Sequence, residues 1–426
     1  MKELLQNILA RGQKVDKANY YYILVNIGLS AFSFVRSFVF MRVLDLKELG
    51  VISLVQTIFM FIGLLQMGLL NGGYRIISLG KKAEMERTNN TIYSYLVILL
   101  PLGILFCLLS STFNWIKDLD FTLLIISVVF GIFTLLNNWY HNMLIGEQKL
   151  SEVNIANIIS YTLSILLLPL AFAIGFWGGM SVIMIQPLVF VGVSMLRNKE
   201  LRPTGFDFDL KYVKYILSFG FIPFLGGIFA AVYTQVERWS ITDVLSVEAL
   251  GGFYLVFLYV SLYQLVPTSI NAIFFPKGVK SYSEGKYDEF KRYLKYYYLV
   301  LIGYGVLITL VTLTLLKPFV ALVFPNHLPG VHLVYYILPG LILQSMCEPI
   351  GLILNSAVIL KPMLAVNATN LTFNVVSIGL MITIGIFTLD HVAMLRSLSG
   401  IVMISGYVIT FLCIRKRLYP VKTNTI

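Results

Sequence analysis

A dozen apolar stretches, each long enough to cross a bilayer, follow one another between Tyr20 and Ile414 with little chain left between them. The spans read as 19–43, 49–70, 91–112, 121–143, 153–174, 179–196, 215–238, 252–275, 294–316, 332–357, 363–387 and 392–414. Each holds about 20 residues, the length an α-helix rising about 1.5 Å per residue needs to cross roughly 30 Å of hydrocarbon. The composition is 58% hydrophobic and 12% charged, with a mean hydropathy of +0.83. A soluble core cannot use that much apolar surface, whereas lipid solvates it directly. The expectation is an all-α integral membrane protein with about twelve transmembrane helices.

An even number of spans puts both termini on one side, and basic residues say which. The N-terminal segment, the C-terminal tail and every second loop together carry 25 Arg and Lys. The alternate loops and span ends carry six, Arg42, Lys47, Lys117, Arg238, Lys317 and Arg396, and Arg36 completes the 32. A wrong span count would shift the parity partway along the chain and mix the two sets. Both termini are therefore expected in the cytoplasm, and the net charge of +11 is mostly this topological bias, which leaves nucleic acid without support as a partner. Residues 1–17 read as an interfacial segment, with Leu4, Leu5, Ile8 and Leu9 on one helix face, and 415–426 as a cytoplasmic tail.

The loops exclude several functions. None on the non-cytoplasmic side is long enough to fold as a catalytic domain, which counts against a polysaccharide polymerase or ligase. There is no G-x-x-x-x-G-K-[ST] run to cradle a nucleotide. Cys107, Cys347 and Cys413 all fall inside spans without metal-ligand spacing; no metal site and no enzyme activity are expected. One motif points the other way. Asp207-Phe208-Asp209 has the D-x-D spacing with which many glycosyltransferases hold a metal and a sugar nucleotide, but no nucleotide-binding domain surrounds it, and a helix cap before Tyr212 and Ile216 explains it as well.

The halves of the chain repeat one another. Leu49-Gly50-Val51-Ile52-Ser53-Leu54-Val55 aligns without gaps to Leu250-Gly251-Gly252-Phe253-Tyr254-Leu255-Val256, an offset of 201 residues. Arg36 lies 14 residues before Gly50, and Arg238 lies 13 before Gly251. Both copies open an even-numbered span, six spans apart, so the halves keep one orientation and form parallel repeats with a substrate path between them. The expected organisation is two pseudo-symmetric six-helix lobes, 18–196 and 215–414, joined by a charged cytoplasmic linker at 197–214.

The run Arg42-Val43-Leu44-Asp45-Leu46-Lys47-Glu48-Leu49-Gly50 and the later Gly68-Leu69-Leu70-Asn71-Gly72-Gly73-Tyr74-Arg75 resemble the start of Wzx-type polysaccharide (O-antigen) flippases. These belong to the multidrug/oligosaccharidyl-lipid/polysaccharide exporter superfamily. Ser218-Phe219-Gly220-Phe221-Ile222-Pro223 and Glu237-Arg238-Trp239-Ser240-Ile241 resemble the family's seventh span, with Glu where members more often have Asp. Leu250-Gly251-Gly252-Phe253-Tyr254 has one residue more than the usual L-G-x-Y. The resemblance implies a secondary transporter of the bacterial inner membrane that works by alternating access. Its cargo would be an undecaprenyl-diphosphate-linked oligosaccharide, moved from the cytoplasmic to the periplasmic leaflet for surface polysaccharide biosynthesis. Polymerase and other assembly proteins would be its partners. A drug or metabolite exporter of the same superfamily is the first alternative, and a membrane glycosyltransferase or polymerase the second.

Several residues stand out as candidates. Arg36 lies six positions before Arg42, roughly 9 Å deeper than the interface. A charge at such depth costs at least about 2.5 kcal/mol, so it faces a cavity or a partner unless it snorkels outward. Glu237 and Arg238 are read either as an interfacial pair ending span seven or, through the repeat, as the counterpart of Arg36. One arginine per half would suit a diphosphate. Glu348 is a carboxylate well inside a span, next to Pro349, which removes a backbone donor. It either serves a coupling cation, H+ or Na+, or satisfies the broken backbone in neutral form, or pairs with Arg396. Asn71, Asn271, Asn367, Asn370 and Asn374 either hydrogen-bond sugar hydroxyls or hold helices together, and Asn367, Asn370 and Asn374 share one helix face by their spacing.

Single cysteines at Asn114 and Asp390, in a background without the native thiols, should react with an impermeant thiol reagent in intact cells. Cysteines at Lys82 and Lys286 should not, and mixed labelling within either set would overturn the span assignment.

Overall fold

The computed structural model describes residues 17–78, 82–116, 118–357 and 359–418, and every regular element among them is helical. The interfacial segment expected before residue 17 and the end of the tail, 419–426, lie outside the described residues. In chain order the α-helices are α1 (Lys17–Val43), α2 (Leu46–Leu64), α3 (Leu69–Ser78), α4 (Lys82–Thr112), α5 (Phe121–Gly146), α6 (Leu150–Leu167), α7 (Pro169–Ile174) and α8 (Phe176–Arg197). They continue as α9 (Leu210–Val244), α10 (Val247–Gly252), α11 (Tyr254–Ser283), α12 (Tyr287–Val311), α13 (Lys317–Val323), α14 (Val331–Met346), α15 (Glu348–Ser356), α16 (Leu360–Ile384) and α17 (Leu389–Leu418). Ten described helical runs are long and apolar enough to cross a membrane. The two remaining expected spans fall on α1 and α9, of 27 and 35 residues. The chain is a multi-pass, all-α membrane protein.

Local chemistry explains where helices begin and break. Asp45 and Glu48 form a reciprocal capping box at the start of α2: Glu48 N–H donates to Asp45 Oδ1 at 2.7 Å, and Asp45 N–H donates to Glu48 Oε2 at 3.1 Å. Asp120 caps α5 through Leu123 N–H at 2.7 Å, and Ser246 caps α10 through Ala249 N–H at 3.0 Å. Span two is shorter than expected, ending at Leu64, because Met67 and Gly68 take positive φ before α3 begins. Span ten breaks at Cys347, and Pro349 sits in the first turn of α15, where its missing N–H leaves no bond unmade.

The chain forms two compact units, one of Met1–Val43 with Ile58–Phe224 and one of Leu44–Thr57 with Leu225–Ile426. In the first unit α6 packs along α8, α4 along α5, and α1 against α6. The segment expected as a linker is stitched to α4. Asn89 donates to the Leu201 carbonyl at 2.7 Å, Asn90 bonds Thr204 at 2.9 Å, and Ser94 Oγ accepts from the Asp207 N–H at 2.9 Å. Arg87 bridges Asp207 at 3.4 Å and Asp209 at 3.0 Å while lying over the Tyr212 ring. Both aspartates of the D-x-D run thus have a cation from their own unit, and Asp209 also accepts the Lys211 N–H at the start of α9.

In the second unit α14 packs along α17, α16 against α17, and α11 against α12, α14 and α15. Phe290, Leu294, Tyr297 and Leu301 of α12 build a core with Leu352 and Ile353 of α15. The two copies of the Leu-Gly repeat meet here. A Cβ on Gly50 would lie 1.9 Å from the Val247 carbonyl oxygen, and one on Gly251 would lie 1.7 Å from that of Leu46. Each glycine therefore abuts the carbonyl four residues before the other glycine, a small-residue crossing that brings α2 and α10 into backbone contact.

Gly50→Ala and Gly251→Ala should each destabilise the detergent-solubilised protein by about 1–3 kcal/mol or more through overpacking, read as a lower unfolding temperature. Gly252→Ala, which meets nothing within 4 Å, should not. Equal stability of all three would show that the backbones are not in contact.

Candidate functional site

In the second unit Gly340 and Gly400 let α14 and α17 touch: a Cβ on Gly340 would lie 2.5 Å from the Arg396 carbonyl oxygen, and one on Gly400 2.7 Å from the Gly340 backbone. That crossing carries Arg396 inward from the start of α17, where it is 8% exposed. Its Nε donates to Glu237 Oε1 at 2.7 Å and its Nη2 to Glu237 Oε2. Glu237 is 1% exposed. This is a bidentate, charge-assisted pair between α9 and α17.

The pair corrects three sequence expectations. Glu237 does not pair with Arg238, because adjacent helical residues do not face one another. Neither residue ends its helix, since α9 continues to Val244. Arg396 takes Glu237 rather than Glu348, and so belongs to the buried charges rather than to a span end. Arg238 instead lies over the Phe257 ring of α11 at 4.4 Å. Its buried Nε has no hydrogen-bond partner among the described residues. Arg396 approaches the same Phe257 ring at 5.7 Å, so two guanidiniums and one carboxylate gather around a single aromatic side chain.

Beside the pair is a cavity of about 300 Å³. Its polar wall consists of Tyr233 and Thr234 from α9, Gln344 from α14, Asn367 and Asn370 from α16, and Arg396 and Tyr407 from α17. Asn367 and Tyr407 both line it. Asn374 is on the same helix face but is fully buried; it donates to Ser399 Oγ at 3.0 Å and to the Asn370 carbonyl at 2.7 Å. It holds α16 to α17 together with Asn370, whose Oδ1 accepts from Ser399 Oγ at 2.9 Å, while Asn367 and Asn370 also border the cavity.

The other candidates have surroundings of their own. Asn271 of α11 donates to Glu348 Oε2 at 3.1 Å, and Glu348 opens α15, where the helix N-terminus favours negative charge. The Asn271 Oδ1 is buried without a hydrogen-bond partner among the described residues. Arg36 of α1 belongs to the first unit, where its Nη1 donates to Gln186 Oε1 of α8 at 3.5 Å. Asn71 is half-buried on α3 of that unit. Among the described residues no three His, Cys, Asp or Glu side chains are grouped so as to hold a metal. Sequence reasoning missed Tyr233, Gln344 and Tyr407 in the cavity wall. Gln344, a carboxamide within an apolar run, was the one signal that could have marked it.

The fold has known relatives. A multidrug resistance MATE family transporter of the MOP superfamily, solved in an inward-facing conformation, is similar with a TM-score of 0.66 and 15% identity over 93% of this chain and 96% of that one. The lipid II flippase MurJ in an inward closed conformation gives 0.66 and 14% over 92% and 87%. The MATE multidrug transporter DinF-BH gives 0.67 and 15% over 96% and 98%. At such identities the likeness is one of fold. No curated protein sequence matches the chain. The family model described as polysaccharide biosynthesis protein matches residues 17–281, well over half the sequence. With a transporter fold along nearly its whole length and that match across both units, the chain belongs to the polysaccharide biosynthesis protein family of membrane proteins.

Proposed function

We propose that this protein flips an undecaprenyl-diphosphate-linked oligosaccharide from the cytoplasmic to the periplasmic leaflet of the bacterial inner membrane, by alternating access and with both termini in the cytoplasm. The observation that carries this reading is the sign of the deep charge. Around Phe257 two guanidiniums gather with one carboxylate, which is paired to Arg396. Such a surplus of positive charge suits a diphosphate and repels the cationic cargo of a drug exporter. Arg36 and Arg238 hold the diphosphate, and Glu237 acts indirectly by fixing Arg396 while leaving Arg238 uncommitted. The family match supports a place in polysaccharide assembly, with O-antigen the pathway suggested by the sequence resemblance and a polymerase the partner that takes the delivered unit.

A coupling cation, H+ or Na+, belongs at Glu348, whose carboxylate and the unpartnered Asn271 Oδ1 supply the oxygens. Glu348→Gln should then leave export insensitive to collapse of the cation gradient; export that still falls with the gradient would remove Glu348 from that role.

Losing a charge-assisted contact to a buried anion removes about 1.5–3 kcal/mol, or roughly one to two decades of affinity. Arg36→Ala or Arg238→Ala should therefore stop polymer export and leave lipid-linked units on the cytoplasmic leaflet. Lys at either position should rescue only in part, since it restores charge without the planar fork. Wild-type export by both Ala variants at matched membrane abundance would sink the assignment.

A further inference from the structure

The cavity of the second unit is more polar than helix packing requires. Side chains that hold membrane helices together bond one another, as Asn374, Ser399 and the Asn370 Oδ1 do, and such bonding needs no void. Here two phenols, three carboxamides and a guanidinium surround about 300 Å³, the volume of roughly ten water molecules at about 30 Å³ each. The Tyr233 hydroxyl is buried with no hydrogen-bond partner among the described residues, and a buried hydroxyl without a partner is costly and uncommon. Glu237 binds Arg396 through Nε and Nη2, which leaves Nη1 outside the pair and locks the guanidinium at the cavity wall. The pair is neutral overall, so the cavity has no net charge with which to select an ion. It instead offers carboxamides that both donate and accept, hydroxyls that do the same, and the aromatic side chains of Phe229, Tyr233 and Tyr407.

We propose that this cavity is a subsite for one pyranose ring of the cargo, read through its hydroxyls by Gln344, Asn367, Asn370 and Arg396 and by the Tyr233 phenol. The inference rests on the flippase reading above and adds to it a place where sugar identity is sensed, separate from the arginines assigned to the diphosphate. Carboxamides pair with neighbouring ring hydroxyls by donating to one and accepting from the other, while the carbon-rich face of the ring lies on an aromatic side chain. A ring lacking the matched hydroxyl would leave buried polar groups unpaired, which is the strongest basis for discrimination. Glu237 is a positioning residue here: it touches no sugar and sets the plane of Arg396.

The test uses the purified full chain in detergent micelles and saturation-transfer NMR with free glucose, galactose, N-acetylglucosamine and glucuronate as probes. At least one ring should receive saturation from the protein, and Tyr233→Phe and Gln344→Leu should each weaken its binding at least tenfold. Tyr233→Phe should meanwhile keep or raise the unfolding temperature, because the hydroxyl it removes has no partner in the protein. Thr372→Val, on an exposed position of α16 outside this cavity, should leave binding unchanged. Absence of saturation transfer to all four rings would overturn the subsite, as would binding unaffected by both cavity variants. A loss in Tyr233→Phe that merely follows a fall in unfolding temperature would assign the hydroxyl to structure and overturn it too. The measurement involves no transport, so such failures leave the flippase reading standing, while normal export by the Arg36 and Arg238 variants would sink that reading without altering sugar binding.

Discussion

The buried pair of Glu237 and Arg396 is the interaction on which the second unit depends. Two charges this far from water are tolerable only if each saturates the other, and removing one partner from such a pair typically costs about 3–5 kcal/mol because the survivor stays buried. The pair ties α9 to α17 across 159 positions of sequence. The Gly340 and Gly400 crossing brings α17 close enough to α14 for the same guanidinium to reach a cavity bordered by Gln344. The pair thus joins three helices around a polar space inside an otherwise apolar bundle.

Neutralising Arg396 changes what the neighbouring charge can do. Arg238 is next to Glu237 in sequence yet is directed onto Phe257, and its Nε is left without a hydrogen bond among the described residues. The geometry therefore separates two positive groups that sequence alone treats alike, one paired with a buried carboxylate and one lying over an aromatic ring.

The connection between the halves has a similar division of labour. Residues 198–209 are bonded along their length to α4, with the buried Asn89 relaying Trp139 of α5 to the Leu201 carbonyl. Asp207 and Asp209, whose spacing suggests a sugar-nucleotide site, are clamped by Arg87 at an exposed surface. Exposed pairs of this kind contribute only about 0–1 kcal/mol each, so the backbone and amide bonds of the segment, more than its charges, hold it against α4.

Much of this protein was legible in one dimension. The spans follow from runs of apolar side chains matched to bilayer thickness. The Leu-Gly repeat is also visible in sequence, but the mutual backbone contact of Gly50 and Gly251 is not. The spans and the repeat are local or periodic, so short stretches of sequence suffice to specify them. The partner of Glu237, the bonding of Asn370 and Asn374 to Ser399, and the cavity with Tyr233, Gln344 and Tyr407 were decided only by the tertiary structure. Each depends on which helices lie side by side and how closely glycines let them approach. In a chain whose helices are all apolar, side-chain pattern says that a helix is buried in the membrane but not which neighbour it meets.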